Sequence, residues 1–287
     1  MKFGAKQNLR FFLFPLCCSF FLGFNVAEAD SDERNVVRLG ISNFALPNPN
    51  VTLYNRTIDT IREVVAPQKL VVKQYSPEHL AAKAEEDKLD LVFGSSGFYR
   101  RTALETGHKE LVSISSDDYP NPNFNDGSSL VVRSDRKDIK TIHDLKRKVL
   151  VANAPFTFTG YIAAMGAIAA EGEDPETFFS KKIFKGEGRT MVNVARDVID
   201  GKADVGVLRL CMLERLEENG SIPKGSLRVL NNKAESLEKC QRSTDLYPGW
   251  TVSSTPRASS GLIKKITRAL LEQKPTAMGY RDKLSVC

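Results

Sequence analysis

The residues of this sequence best suited to chemistry are hydroxyls set beside glycines where an apolar run gives way to a helical pattern. GSSGFYRR (94–101) is one such place, and it puts Ser95 and Ser96 at a helix start. Backbone N–H groups there lack acceptors and the helix dipole is positive, so an anion is favoured. NAPFTFTGYIAAMGAI (153–168) repeats the arrangement, with Thr157 and Thr159 ahead of an Ala-rich helix and Gly160 allowing close approach to the backbone. Two such starts aimed into one cleft would hold a tetrahedral oxyanion without a metal. The competing reading in both places is an ordinary hydroxyl-capped helix.

Two further groups belong with these. Gly127, Ser128 and Ser129 lie at the opening of the strand SSLVVRS, where the two hydroxyls reach either a ligand or a turn. Arg209 ends the apolar strand ADVGVLR, and a guanidinium at the carboxyl end of a strand can grip an oxyanion through two N–H groups. A salt bridge to Asp204 or Glu214 is the plain alternative. Tyr247 and Trp250, in DLYPGW, offer an aromatic wall or simple packing.

Familiar enzyme machinery is missing. There is no G-x-S-x-G elbow, no G-x-x-x-x-G-K-[ST] loop and no G-x-G-x-x-G after a strand, GEG at 186–188 being the nearest approach. His79, His108 and His143 stand apart from any CxxC, HxxxH or HExxH spacing, so no metal site and no cofactor are expected. Neither a catalytic base nor a nucleophile presents itself, and the expectation is a binding protein rather than an enzyme.

The elements that must position these groups read as two α/β series. VVRLGISNF (36–44), a helical pattern over 53–65 closed by Pro67, strand 70–75, a helix opened by Pro77, and strand 89–94 make β, α, β, α, β. The second series runs through strand 128–134, a helix around 141–145, strand 149–153, helix 160–170, helix 189–199, strand 203–209 and helix 212–218. Strand 251–255 and a helix over 260–273 close the chain. EEDKLDLVFGSS and IDGKADVGVLRL echo each other: helix end, K-x-D, buried strand, polar loop. Two similar lobes would then offer the carboxyl ends of their strands to one cleft, where open α/β sheets bind ligands.

Composition agrees with this plan. The sequence has 287 residues, 41% hydrophobic and 26% charged, enough for about two domains with real cores. Lys2, Lys6 and Arg10 precede an apolar run from Phe11 to Phe24, and Ala27-Glu28-Ala29 follows it, the layout of a secretory signal cleaved after Ala29. The run is too short to span a bilayer, and the expected location is periplasmic or secreted. Without residues 1–29 the formal charge falls from +6 to about +4, too mild for a nucleic-acid binder. Cys211, Cys240 and Cys287 remain; the odd number leaves one thiol over if two pair.

Taken together, LDLVFGSSGFYRR, DGSSLVVRSD, TIHDLKRKVLVA, APFTFTGYIAAMGAIAAEGEDPETFF, GKADVGVLRLCMLERL and CQRSTDLYPGWTVSSTP resemble the phosphate, phosphite and phosphonate substrate-binding family of ABC transporters. Within it they are similar to the periplasmic sensor domains of tetrathionate-sensor-type histidine kinases. The resemblance implies a type II periplasmic binding protein fold: two α/β lobes, 30–127 with 246–287 and 128–245, joined by two crossing strands. By position Ser96, Tyr99, Ser128, Ser129, Thr157, Thr159, Gly160, Tyr161 and Arg209 match its pocket segments. Cys211 and Cys240 match a cysteine pair of the sensor-like branch, which in an exported chain implies a disulfide. The implied ligand is phosphonate, phosphate, phosphite or a sulfur oxyanion. The implied partner is an ABC permease or, alternatively, a membrane sensor kinase, with the protein a monomer. The resembled sensors continue beyond Met278–Tyr280; here RDKLSVC follows, so a free binding protein and a shortened sensor are both expected readings.

Overall fold

The computed structural model describes residues 35–42, 55–95, 97, 106–115, 119–186, 191–236, 238–273 and 283–286. The expected signal segment, Ser96, Tyr99 and Cys287 lie outside the described residues. Among the described residues no helix is long and apolar enough to cross a membrane.

The first series folds as β1 (Val36–Ser42), α1 (Asn55–Val65), β2 (Lys69–Tyr75), α2 (Pro77–Glu86) and β3 (Leu91–Ser95), with a strand that periodicity did not show, β4 (Lys109–Ser115). The second comprises β5 (Ser128–Arg133), β6 (Val149–Ala152), α3 (Ala163–Ala170), β7 (Lys181–Phe184), α4 (Met191–Ile199), β8 (Val205–Arg209), α5 (Met212–Glu218) and β9 (Leu227–Val229). β10 (Trp250–Ser254), α6 (Ser260–Leu271) and β11 (Lys283–Val286) follow. The helix expected around 141–145 is only a short 3₁₀ turn at His143–Leu145.

Two sheets result, ordered β11-β4-β10-β3-β1-β2 and β7-β6-β8-β5-β9. Read from the other edge, the first is β2-β1-β3-β10-β4-β11, so both sheets share one plan. Three strands run parallel, β2-β1-β3 and β7-β6-β8, and an antiparallel strand lies next to the third, β10 in one sheet and β5 in the other. Each antiparallel strand follows a chain segment that comes from the other sheet. The first sheet therefore draws on both ends of the sequence, and the second is built from its middle. This is the two-sheet α/β architecture expected from the sequence.

Both faces of the central strands are buried, as the unbroken apolar runs imply. Leu130 and Val132 of β5, Leu150 and Ala152 of β6, and Val205 and Val207 of β8 pack with Tyr161, Ala164 and Ile168 on one face. Val131, Val151 and Leu208, one residue out of step, join Val194, Val198 and Leu213 on the other. In the first sheet Val37, Leu39, Ile41, Leu91 and Phe93 pack with Ile58, Ile61 and Ile266. Gly206 in β8 has a packing reason: a Cβ there would come within 2.9 Å of Val198 on α4.

The K-x-D echo has a structural meaning. Asp90 accepts the Arg38 N–H at 2.8 Å on its carboxylate and returns its own N–H to the Arg38 carbonyl at 2.9 Å. Asp204 does the same with Val149, at 2.9 Å in each direction, and adds the Arg136 guanidinium at 2.6 Å. In both sheets an aspartate just before the third strand thus locks it to the first parallel strand. Burial pushes the Asp204 carboxyl up, but the Val149 N–H and the Arg136 charge outweigh it and hold the group below its ordinary value.

The segments that cross between the sheets run side by side. Asp126 and Tyr247 form an antiparallel bridge, Ser243 and Thr244 donate their N–H groups to the Ser128 carbonyl, and the Ser243 hydroxyl accepts from Leu130 N. Cys211 and Cys240 form a disulfide, closing a loop over a sequence separation of 29. It packs with Tyr119, Leu210 and Leu246 beside the crossing, and the Tyr119 hydroxyl donates to the Cys240 carbonyl.

Two expected outcomes follow from these ties. Replacing both Cys211 and Cys240 with Ser should lower the unfolding free energy by roughly 3 to 4 kcal/mol, the chain-entropy value for a loop of about 30 residues, read from denaturant midpoints. Asp204→Asn should cost about 1 to 2 kcal/mol at neutral pH. Because the folded carboxyl titrates below its unfolded value of about 4, that difference is complete above this pH and should fade as the pH drops through the lower folded value.

Candidate functional site

The shared plan of the two sheets fixes where a site can form. An antiparallel strand entering beside the third parallel strand brings its first residue level with that strand's last. Ser128, the first residue of β5, is thus the cross-strand partner of Arg209, the last of β8. Trp250, the first residue of β10, pairs in the same way with Ser95, the last of β3. The carboxyl ends of the parallel strands and the crossing segments therefore lie together.

In the second sheet Ser128 links three of the sequence candidates. It sits opposite Arg209, and its hydroxyl donates to the Thr159 carbonyl at 2.7 Å. Thr159 belongs to a wide π-type turn at Phe158–Ile162 that leads directly into α3, so the helix starts earlier and wider than the sequence implied. Ile162 N–H bonds the Thr157 carbonyl at 3.0 Å, and N–H groups ahead of that bond have no acceptor along the helix. Such wide turns recur at functional sites. Gly160 is required here: a Cβ would lie 2.5 Å from the Thr157 hydroxyl and 2.9 Å from Asn153.

Not every candidate hydroxyl can give a proton to a ligand. Thr157 is buried and donates to the Ala154 carbonyl at 2.7 Å, without capping the turn. The fully buried Ser129 donates to the Gln241 carbonyl at 2.7 Å, and the Ser128 hydroxyl is committed to Thr159. Tyr161 lies in the core of the second sheet, edge-on to Phe184 at 5.1 Å between ring centres, with the Lys182 ammonium 5.8 Å from its own. Ser95 is placed at the end of β3 rather than on a helix. Trp250 is edge-on to Phe93 in the core of the first sheet.

Arg209 keeps a side chain 45% exposed, and its Nε lies 3.8 Å from Asp126. Its ion-pair partner is therefore Asp126 and not Asp204 or Glu214. Asp204 is taken by Arg136, and Glu214 accepts the Gln241 N–H. Asp126 is buried on the crossing segment, and desolvation pushes its carboxyl up against the opposing pull of Arg209 and the Gly127 N–H. Arg209 thus has a buried carboxyl beside it and keeps part of its side chain exposed.

Sequence reasoning missed two members of this region. Asp126 carried a faint signal as the residue before Gly127-Ser128-Ser129. Phe158 stands between Thr157 and Thr159, and its ring is edge-on to Tyr247 with centres 5.0 Å apart. A Cβ added at Gly97, just beyond β3, would overlap that ring. Phe158 therefore touches the first sheet's side of the cleft from the second. Tyr247, read as either a wall or a packing residue, packs against that ring.

Among the described residues no group of His, Cys, Asp and Glu is placed to hold a metal ion. Among the described residues the arrangement brings together the Arg209 guanidinium, the turn that starts α3, the Phe158 ring and the buried Asp126 carboxyl.

Known proteins with the same architecture were found. The binding-protein component of an ABC phosphonate transporter from Pseudomonas aeruginosa superposes with a TM-score of 0.61 at 14% identity, covering 88% of this chain and 81% of that one. XAC2383 from Xanthomonas citri bound to chloride ion gives 0.65 at 14%, covering 88% and 92%. PhnD1 from Prochlorococcus marinus in complex with methylphosphonate gives 0.57 at 14%, covering 88% and 93%. At this identity the structures speak for the fold. No curated protein matches the sequence. The model of the family described as ABC transporter, phosphonate, periplasmic substrate-binding protein matches residues 43–282. With that match spanning most of its length, the chain belongs to the phosphonate periplasmic substrate-binding protein family of ABC transporters.

Proposed function

We propose that this protein captures a small oxyanion between its two lobes and delivers it to an ABC importer. The observation that carries the reading is the pairing of Ser128 with Arg209 while the Ser128 hydroxyl holds Thr159, which sets a guanidinium and a helix start on one wall. A phosphonate, phosphate, phosphite or sulfur oxyanion is the ligand, since each presents several acceptor oxygens to these donors.

In this reading the lobes are 30–127 with 246–287 and 128–245, hinged at the paired crossing segments. Arg209, Thr159 and Gly160 contact the ligand from one lobe. Ser95 contacts it from the other, together with Ser96 and Tyr99. Ser128, Ser129 and Thr157 hold the wall in shape, because a hydroxyl that donates to a carbonyl has no proton left for an oxyanion. Export by the leader, with cleavage after Ala29, puts the protein where such a ligand enters. Capture then shifts an open pair of lobes toward a closed one.

The test is calorimetric titration of the mature chain with methylphosphonate, phosphate, phosphite, sulfate and tetrathionate. Binding of at least one with saturable heat is expected, and no heat or thermal shift with any would refute the reading. Arg209→Ala should weaken the bound ligand by about 10- to 100-fold, the loss of a charge-assisted hydrogen bond, with an unchanged circular dichroism spectrum. Recovery of the protein with a sensor kinase, and not with a permease, would turn the reading from import to sensing.

A further inference from the structure

Phe158 is out of character with its surroundings. Thr157, Thr159 and Gly160 around it are small or polar, and between them this position carries a phenyl ring. Both flanks of the ring are pinned: the Thr157 hydroxyl is bonded to Ala154, and the Thr159 carbonyl accepts from Ser128. The ring is edge-on to Tyr247, whose backbone is bridged to Asp126. Its other boundary is Gly97, where even one added methyl would overlap it. The ring is thus bounded by Tyr247 and Gly97, and the residues before and after it in the turn are tied to Ala154 and Ser128.

We infer that Phe158 sets the size limit of the ligand, restricting the site to oxyanions that are bare or carry a substituent of about one or two carbons. This rests on the proposed oxyanion-binding reading and narrows it. A tetrahedral oxyanion held by the helix start and Arg209 must point any substituent away from those donors. The ring of Phe158, in the same turn as Thr159 and Gly160, fills the space between that turn, Gly97 and Tyr247. An aromatic substituent would need the volume that the phenyl ring occupies, and a pinned ring cannot yield it without losing its contacts. Removing the ring frees a space of its own shape beside Tyr247 and Gly97, room for an aromatic substituent.

The experiment titrates methylphosphonate and phenylphosphonate into the wild type, Phe158→Ala and Phe158→Leu, the last keeping an apolar side chain against Tyr247 should the alanine variant fold poorly. The wild type should prefer methylphosphonate by about 10-fold or more, a pocket-fit discrimination, and the preference should shrink in Phe158→Leu and vanish or reverse in Phe158→Ala. An unchanged preference in the variants overturns the inference. If the wild type binds neither phosphonate nor any other oxyanion, the oxyanion reading fails, and a thermal-melt cycle with Gly97→Ala decides the contact separately. A Gly97→Ala penalty present in the wild type and absent in the Phe158→Ala background supports a ring seated between the lobes. Equal penalties in both backgrounds overturn it.

Discussion

The structure depends on one constraint of strand order: each sheet is completed by an antiparallel strand that the chain delivers from the other sheet. β10 closes the gap beside β3, and β5 closes the gap beside β8. An antiparallel neighbour starts where the parallel strand ends, so the arriving strands enter at the carboxyl ends of β3 and β8. The crossing segments and the carboxyl ends of the parallel strands of both sheets are thereby forced into the same place.

The polar chemistry follows from that placement. Backbone and side-chain hydroxyls close to the crossing are consumed in tying it together, as with Ser243 on Leu130 and Ser129 on Gln241. In the proposed reading the groups that meet a ligand are the part-exposed Arg209 guanidinium and the N–H groups ahead of α3. Asp126 backs Arg209 from inside, where desolvation makes its charge costly and the guanidinium offsets that cost. The disulfide at Cys211 lies two residues beyond Arg209 and ties the start of α5 to the returning segment. Cys211 itself has a left-handed backbone with φ of 62°, a conformation that its covalent and packing neighbours hold in place.

Much of this was legible in the sequence, and the exceptions have physical reasons. The central strands declared themselves because both faces are buried, so VVRLGIS, LDLVFG and ADVGVLR read as continuous apolar runs. The K-x-D echo was visible because both aspartates do the same work for neighbouring strands. β7 and β9 were hidden: KKIF mixes lysines with apolar residues on a half-covered edge, and β9 is three residues long. β4 alternates Leu111, Ser113 and Ser115 with Val112 and Ile114, a pattern that shows only once α6 and β10 are known to cover it. The hydroxyl candidates were found by type, but type does not reveal which carbonyl each one meets. Asp126 and Phe158 were missed because their importance lies in contacts more than 80 residues distant along the chain for one, and between the two lobes for the other.

The most direct measurement is a crystal structure of the mature chain grown with methylphosphonate. The account predicts the phosphonate oxygens between the Arg209 guanidinium and the N–H groups of Thr159 and Gly160, with the methyl group turned toward Phe158. Phosphonate bound elsewhere, with Arg209 still directed at Asp126 and the helix start bare, would contradict it.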